Sequence, residues 1–151
     1  MSEVTNDKTV EDLLRETRVA VAPATYVLVG LTHRDWARLL EDPELSPRPE
    51  TCFMLLRDTK EVTLLMEDDD WLRMRHVVRD AKVEANFRLI TLDVDLPWHV
   101  VGYFARVAEI LAQAGIPLGA LSSFSRDHVL LKQHDLGKAL RVLGKHVGEL
   151  C

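Results

Sequence analysis

Hydrophobic positions along the chain change period several times, and each change marks an element. Residues 9–17, TVEDLLRET, set Thr9 ahead of a helical face of Val10, Leu13 and Leu14, with Asp12 three residues on. That is a capping-box spacing and predicts a short first helix. RVAVAPATYVLVGL then alternates before turning solidly apolar, and Pro23 interrupts it. It predicts strands at 18–21 and 25–31. THRDWARLLEDPELSPRPE has a helical turn or two near 35–40 and then a loop punctuated by Pro43, Pro47 and Pro49. TCFMLLRDTKEVTLLM sets two apolar runs around Asp58-Thr59-Lys60, a hairpin signature. A helix over 68–81 follows, with Asp68, Asp69 and Asp70 at the positive end of its dipole and Leu72, Val77 and Trp71 turned inward.

The remaining residues read strand, helix, strand, strand, helix. FRLITLDV (87–94) alternates as a strand, and residues 99–114 keep apolar side chains at 100, 101, 104, 107, 108, 111 and 114, a 3.6-residue spacing. Gly115 stops that helix in a left-handed cap. A strand at 116–124, a turn at Ser125-Arg126-Asp127, a strand at 128–133 and a helix at 135–147 capped by Asp135 complete the series. VGELC reads only as a tail. KEVTLLMEDDDWL (60–72) overlays RDHVLLKQHDLGK (126–138) at an offset of 66, which implies two copies of one strand-strand-helix unit.

Composition narrows the function classes. A chain of 151 residues, 47% hydrophobic and 28% charged, is globular. Its apolar runs are too short to span a bilayer, and its polar, acidic start is unlike a secretory signal, so a cytoplasmic location is expected. The net charge of −5 shows no basic face to neutralise phosphates, which argues against nucleic acid. Cys52 and Cys151 stand too far apart for a metal knuckle, and Cys52 is expected as a small core residue. The six histidines are scattered; Asp127 and His128 are adjacent on a strand and point to opposite faces, so they do not form a chelate. No nucleophile elbow or phosphate loop is present. The expectation is a protein that is not an enzyme and that uses no metal and no cofactor.

The stretch that asks for a ligand is DVDLPWHVVGYF, an acidic corner between a strand and an apolar helix. A helix start offers unpaired N–H groups and a positive pole, which together receive a carboxylate. His99, Val100, Val101 and Gly102 are expected to supply those N–H groups. Gly102 either lets a ligand approach or lets the helix pack closely on a sheet. Trp98, following Pro97, is either a pocket wall or a packing and dimer contact.

LITLDVDLPWHVVGYFARVAEILAQAGIPLGALSSFSRDHVLLKQHDLGKALRVL resembles an ACT domain, the small-molecule-sensing βαββαβ module of amino-acid metabolism, in its bacterial branch of unknown function and in that of the cytosolic arginine sensors. YVLVGL and KEVTLLM are similar to the first half of the tandem members. The resemblance implies an α+β, ferredoxin-like fold with antiparallel sheets and helices on one face. It divides the chain into an N-terminal half, 1–86, and a C-terminal ACT domain, 87–151. Because no strand is evident after the last helix, strand 18–21 or 25–31 is expected to complete the C-terminal sheet, interlocking the halves. It further implies an amino acid held between two ACT units, at the corner and at Gly115 and Ile116, with Asp93, Asp95 or Asp127 on the ammonium group and Ser122 at the interface. Asp127 also reads as an ordinary turn acid. A homodimer or a regulated enzyme is the implied partner; the alternative is a ligand-independent assembly module pairing through sheet edges.

Overall fold

The computed structural model describes residues 8–151. Its elements are α1 (Val10–Glu16), β1 (Arg18–Val21), β2 (Tyr26–Leu31), α2 (His33–Leu40), β3 (Met54–Arg57), β4 (Val62–Glu67), α3 (Asp68–Met74), β5 (Lys82–Asp93), α4 (Tyr103–Gln113), β6 (Gly119–Ser122), β7 (Asp127–Lys132), α5 (Leu136–Leu143) and β8 (Glu149–Leu150). The chain forms two units. One is Pro23–Phe87; the other joins the segment ending at Ala22 to Arg88–Cys151. β5 therefore gives its first half to one unit and its second half to the other.

In the Pro23–Phe87 unit the sheet order is β3-β4-β2-β5, all antiparallel. With α2 and α3 this is a complete βαββαβ fold. Val27, Val29 and Leu31 of β2 and Val62, Leu64 and Met66 of β4 alternate onto the face that packs Leu39, Trp71 and Met74. Two carboxylates are sunk in this unit. Asp35, 1% exposed, accepts the N–H groups of Arg79 and Asp80. Those bonds draw the chain out of the helix expected to reach 81: α3 ends at Met74, a 3-10 turn covers Arg75–Val77, and β5 begins at Lys82, ahead of the expected 87. The short helix buries Asp70, Trp71 and Met74 and leaves Leu72 exposed, contrary to expectation. Cys52 is likewise exposed rather than in the core, because it lies in the loop before β3.

The other unit has the order β6-β7-β5-β1-β8. Val19, Ile90, Leu92, Val129 and Leu131 share a core with Val107, Ile110 and Leu111 of α4, Leu143 of α5, and Leu13 and Leu14 of α1. The fourth-strand position beside β5 is taken by β1, antiparallel and in register from Arg18↔Asp93 to Val21↔Ile90. The expected structureless tail is instead a two-residue strand, β8, parallel to β1. Backbone contacts hold it, with Cys151 N–H donating to the Val19 carbonyl at 2.8 Å and Gly148 N–H to that of Thr17 at 3.1 Å. A Cβ on Gly148 would lie 2.0 Å from the Arg15 carbonyl oxygen, so only glycine fits there.

Other boundaries shift for local reasons. α4 ends in a Schellman arrangement, with Ile116 N–H on the Leu111 carbonyl and Gly115 N–H on that of Ala112, so β6 starts at Gly119 rather than 116. A 3-10 turn, Gln133–Asp135, precedes α5, which spans less than the expected 135–147, and the Asp135 side chain makes no cap bond. α1 shows the expected box: Thr9 Oγ1 accepts Asp12 N–H, and the Asp12 carboxylate accepts Thr9 N–H.

One buried polar chain ties α1 to α4. Thr17 is 0% exposed; its hydroxyl donates to the Leu13 carbonyl at 2.7 Å, so Tyr103 Oη, also 2.7 Å away, must be the donor to Thr17 Oγ1. Burial pushes the Tyr103 phenol up to about 12. Tyr103→Phe removes one bond and should cost about 1 kcal/mol, whereas Thr17→Val strands two buried groups and should cost roughly 2 to 3 kcal/mol. Urea unfolding of both variants checks the order; equal costs would contradict this reading of the network.

Candidate functional site

β5 ends at Asp93, and the chain then makes the corner the sequence singled out. Leu96 N–H donates to the Ser125 carbonyl at 3.0 Å, pinning the corner to the β6–β7 hairpin, and Val100 N–H closes a turn onto the Pro97 carbonyl. Gly102 follows with φ 89° and ψ 0°, a left-handed N-cap, so helix cannot form before it. α4 thus starts at Tyr103, not at 99. Its free amides are those of Tyr103, Phe104 and Ala105, in place of the expected His99 to Gly102. The first intrahelical bond is Arg106 N–H to the Gly102 carbonyl at 3.1 Å.

Having no side chain, Gly102 cannot cap those amides, and no acceptor for them is found among the described residues. α2 holds the same place in the other unit and differs. There Thr32 Oγ1 accepts Asp35 N–H at 3.1 Å. A helix N-terminus with its amides free carries about half a positive charge, and at α4 that charge faces a cavity of about 340 Å³.

One wall of the cavity is the corner and helix start, Leu96 to Ala105 with Trp98 and Phe104; the other is the hairpin from Ser122 to Asp127. Ser122 Oγ donates to Asp127 Oδ1 at 2.7 Å. Asp127 Oδ2 has no donor among the described hydrogen bonds and remains open to a cation. Asp93 does not line the cavity and already has a cation: Arg126 Nε reaches its Oδ1 at 2.6 Å, and that bond holds the Asp93 carboxyl below the usual range. His128 stiffens the base of the hairpin between Thr91 Oγ1 (3.0 Å) and Ser123 Oγ (3.1 Å). Since the Ser123 hydroxyl donates to the Arg126 carbonyl, Nε2 carries the His128 proton and Nδ1 accepts from Thr91. Burial pulls the His128 pKa down, opposed in part by Asp127.

The structure gathers Pro97, Trp98, Val100, Gly102, Ser122 and Asp127 around this cavity. Asp95, His99 and Val101 face a separate depression, of about 580 Å³, beside Val10 and Leu13 of α1. Gly115 and Ile116 lie at the opposite end of α4, and Ile116 is a core residue at 4% exposure. Sequence reasoning missed Phe104 and Phe124. Phe104 matched the helical core spacing, and Phe124 fell inside a strand expected to run to 124. Trp98 and Phe124 are 101% and 107% exposed, so both stand clear of the surface at the cavity mouth.

Comparison with known proteins places this arrangement. The family model described as an ACT domain matches residues 82–145, which begin with β5 and end just past α5. Residues 82–145 are an ACT domain. The helix start at the cavity, that of α4, lies within this matched segment. Over nearly the whole chain the fold is that of a protein from Agobacterium tumefaciens, with 17% identity, a TM-score of 0.69, and coverage of 90% of this chain and 92% of that one. It is also that of a Vibrio cholerae protein of unknown function, described as a possible transport protein (23% identity, TM-score 0.64, 91% and 94% covered). The regulatory subunit of aspartate kinase from Thermus thermophilus, in ligand-free form, shares it as well (11% identity, TM-score 0.64, 88% and 98% covered). No curated protein matches the chain.

Among the described residues no group of three or more His, Cys, Asp or Glu is placed to hold a metal ion, and no helix is long and apolar enough to cross a membrane. A Cβ at position 102 would sit 3.8 Å from Val10 Cγ2, ordinary contact, so Gly102→Ala pays for backbone conformation and not for a clash. The variant should lose about 1 to 2 kcal/mol in urea unfolding; an unchanged midpoint would show that the ACT domain does not need the left-handed cap.

Proposed function

We propose that this protein is a non-catalytic, cytoplasmic regulator of the ACT type that binds an α-amino acid at the start of α4. The observation that carries the reading is the uncapped amide cluster of Tyr103, Phe104 and Ala105 facing a cavity of about 340 Å³ that also holds Asp127. An α-amino acid needs a donor cluster for its carboxylate and an acceptor for its ammonium group, and such charge-assisted bonds are the strong ones. Leu96, Trp98, Phe104 and Phe124 offer apolar surface to its side chain. Asp127, on this reading, is the ammonium partner, ahead of Asp93 and Asp95.

Exposed aromatic side chains of the size of Trp98 and Phe124 mark contact surfaces. In this proposal a second ACT unit, from another copy or a regulated enzyme, covers them and completes the ligand's enclosure. Binding then changes association because ligand and partner share one surface. A second reading, ligand-independent assembly through sheet edges, draws on Leu55 and Leu56, which are 39% and 59% exposed on the edge strand β3.

Calorimetric titration with each of the twenty amino acids should give saturable heat for at least one, and light scattering should show a mass that changes with that amino acid. Asp127→Asn should weaken it by roughly tenfold or more, the loss of a charged hydrogen bond. No heat for any amino acid, with an oligomer of constant mass, would favour the assembly reading and sink this one.

A further inference from the structure

The Pro23–Phe87 unit contains its own cavity, of about 200 Å³, remote in sequence from the Trp98 corner. Its floor is Trp36 and Leu39 of α2, Leu64 of β4 and Met74 of α3; its roof is Leu45 and Phe53 from the loop joining α2 to β3. The roof is fastened. Asp70, 0% exposed, accepts from Arg48 N and Nε (3.3 and 3.0 Å), Thr51 Oγ1 (3.0 Å) and Arg73 Nη2 (2.7 Å), and Arg48 also reaches Glu67 at 2.8 Å. Burial raises the Asp70 pKa, but the bonds from Arg73, Thr51 and Arg48 outweigh it and keep the group ionised. A buried carboxylate gripped by two guanidinium groups makes the roof a fixed wall of the cavity.

Several polar groups at the rim are paired within the chain, and Asp42 and Ser46 are exposed to solvent there. Asp42 Oδ1 takes the Glu44 N–H, Ser46 N–H donates to the Pro43 carbonyl, and the Ser46 carbonyl accepts from Arg73. Most of the lining is apolar, and that surface continues outward through Leu40, 63% exposed, and Phe53, 38% exposed. An apolar cavity of about 150 Å³ stays dry and takes up benzene. We propose that this second cavity is a binding site for an uncharged, apolar small molecule of single-ring to indole size. The inference goes beyond the amino-acid reading and does not rest on it.

The test is a titration of the full-length, isotope-labelled protein with indole, followed by amide NMR. Saturable shifts confined to residues 36–47, 53, 64 and 74 are expected, with residues 96–105 and 122–127 unmoved. Leu45→Phe, which fills the cavity from its roof, should weaken indole by roughly tenfold or more while leaving the amino-acid titration unchanged. Scattered or non-saturating shifts, shifts centred on Trp98, or undiminished binding in a well-folded Leu45→Phe would overturn the proposal. Concentration-dependent shifts at 36–47 without indole would also overturn it, identifying a second copy's side chain as the occupant. Should Leu45→Phe fail to fold, wild-type crystals under xenon pressure decide: density is expected between Leu39 and Leu45, and its absence rejects the site.

Discussion

Gly102 holds the backbone at φ 89°, and that single left-handed residue decides what the start of α4 can do. It breaks the chain direction after the Pro97 turn and provides no side chain, so the amides of Tyr103, Phe104 and Ala105 stay unpaired while their dipoles add up. α2 stands in the same place in the other βαββαβ unit and begins with Thr32, whose hydroxyl occupies the Asp35 amide. Two copies of one fold therefore end their first strand differently, one with an amide capped by its own side chain and one with no side-chain cap beside a cavity. A helix start left open costs stability unless something else accepts from it.

The scaffold holds that open end still. β1 occupies the fourth-strand position beside β5 and brings α1 with it, and the Tyr103–Thr17–Leu13 hydrogen bonds anchor the first residue of α4 to the C-terminal end of α1. On the other side, Leu96 bonded to Ser125 and Arg126 paired with Asp93 fix the hairpin wall. The Arg126–Asp93 pair is exposed enough that screening leaves it little net stability. Arg126 neutralises Asp93, which does not line the cavity, and Asp127 is the carboxylate that does.

Much of this was legible before any coordinates. The capping spacing of Thr9 and Asp12, the strand at 18–21 and the hairpin around residues 58–60 rest on local rules and reappear in the structure; the repeated strand-strand-helix unit reappears too, but with 54–57 matching 119–122 and 62–67 matching 127–132, one residue off the expected alignment. What failed depends on distant contacts. Val100 and Val101 continue the 3.6-residue apolar spacing backwards, which puts the expected helix start before Gly102, whose left-handed φ the spacing alone does not reveal. α3 ends early because Asp35, far away in sequence, captures the amides of Arg79 and Asp80. β8 is two residues long and held by backbone bonds to Thr17 and Val19, which leave no side-chain pattern. At the candidate site, the corner and Asp127 were legible as chemistry. Phe104, Phe124 and the separation of Gly115 and Ile116 from the corner needed the fold.

The central claim is that an amino-acid carboxylate sits on the amides of Tyr103, Phe104 and Ala105. Backbone amide NMR of those residues, recorded while each of the twenty amino acids is titrated in turn, tests it most directly. The account predicts that for at least one amino acid these resonances move together and saturate, and that their hydrogen exchange slows. An amino acid that saturates elsewhere while these amides stay unmoved, or a full set that moves nothing, would contradict it.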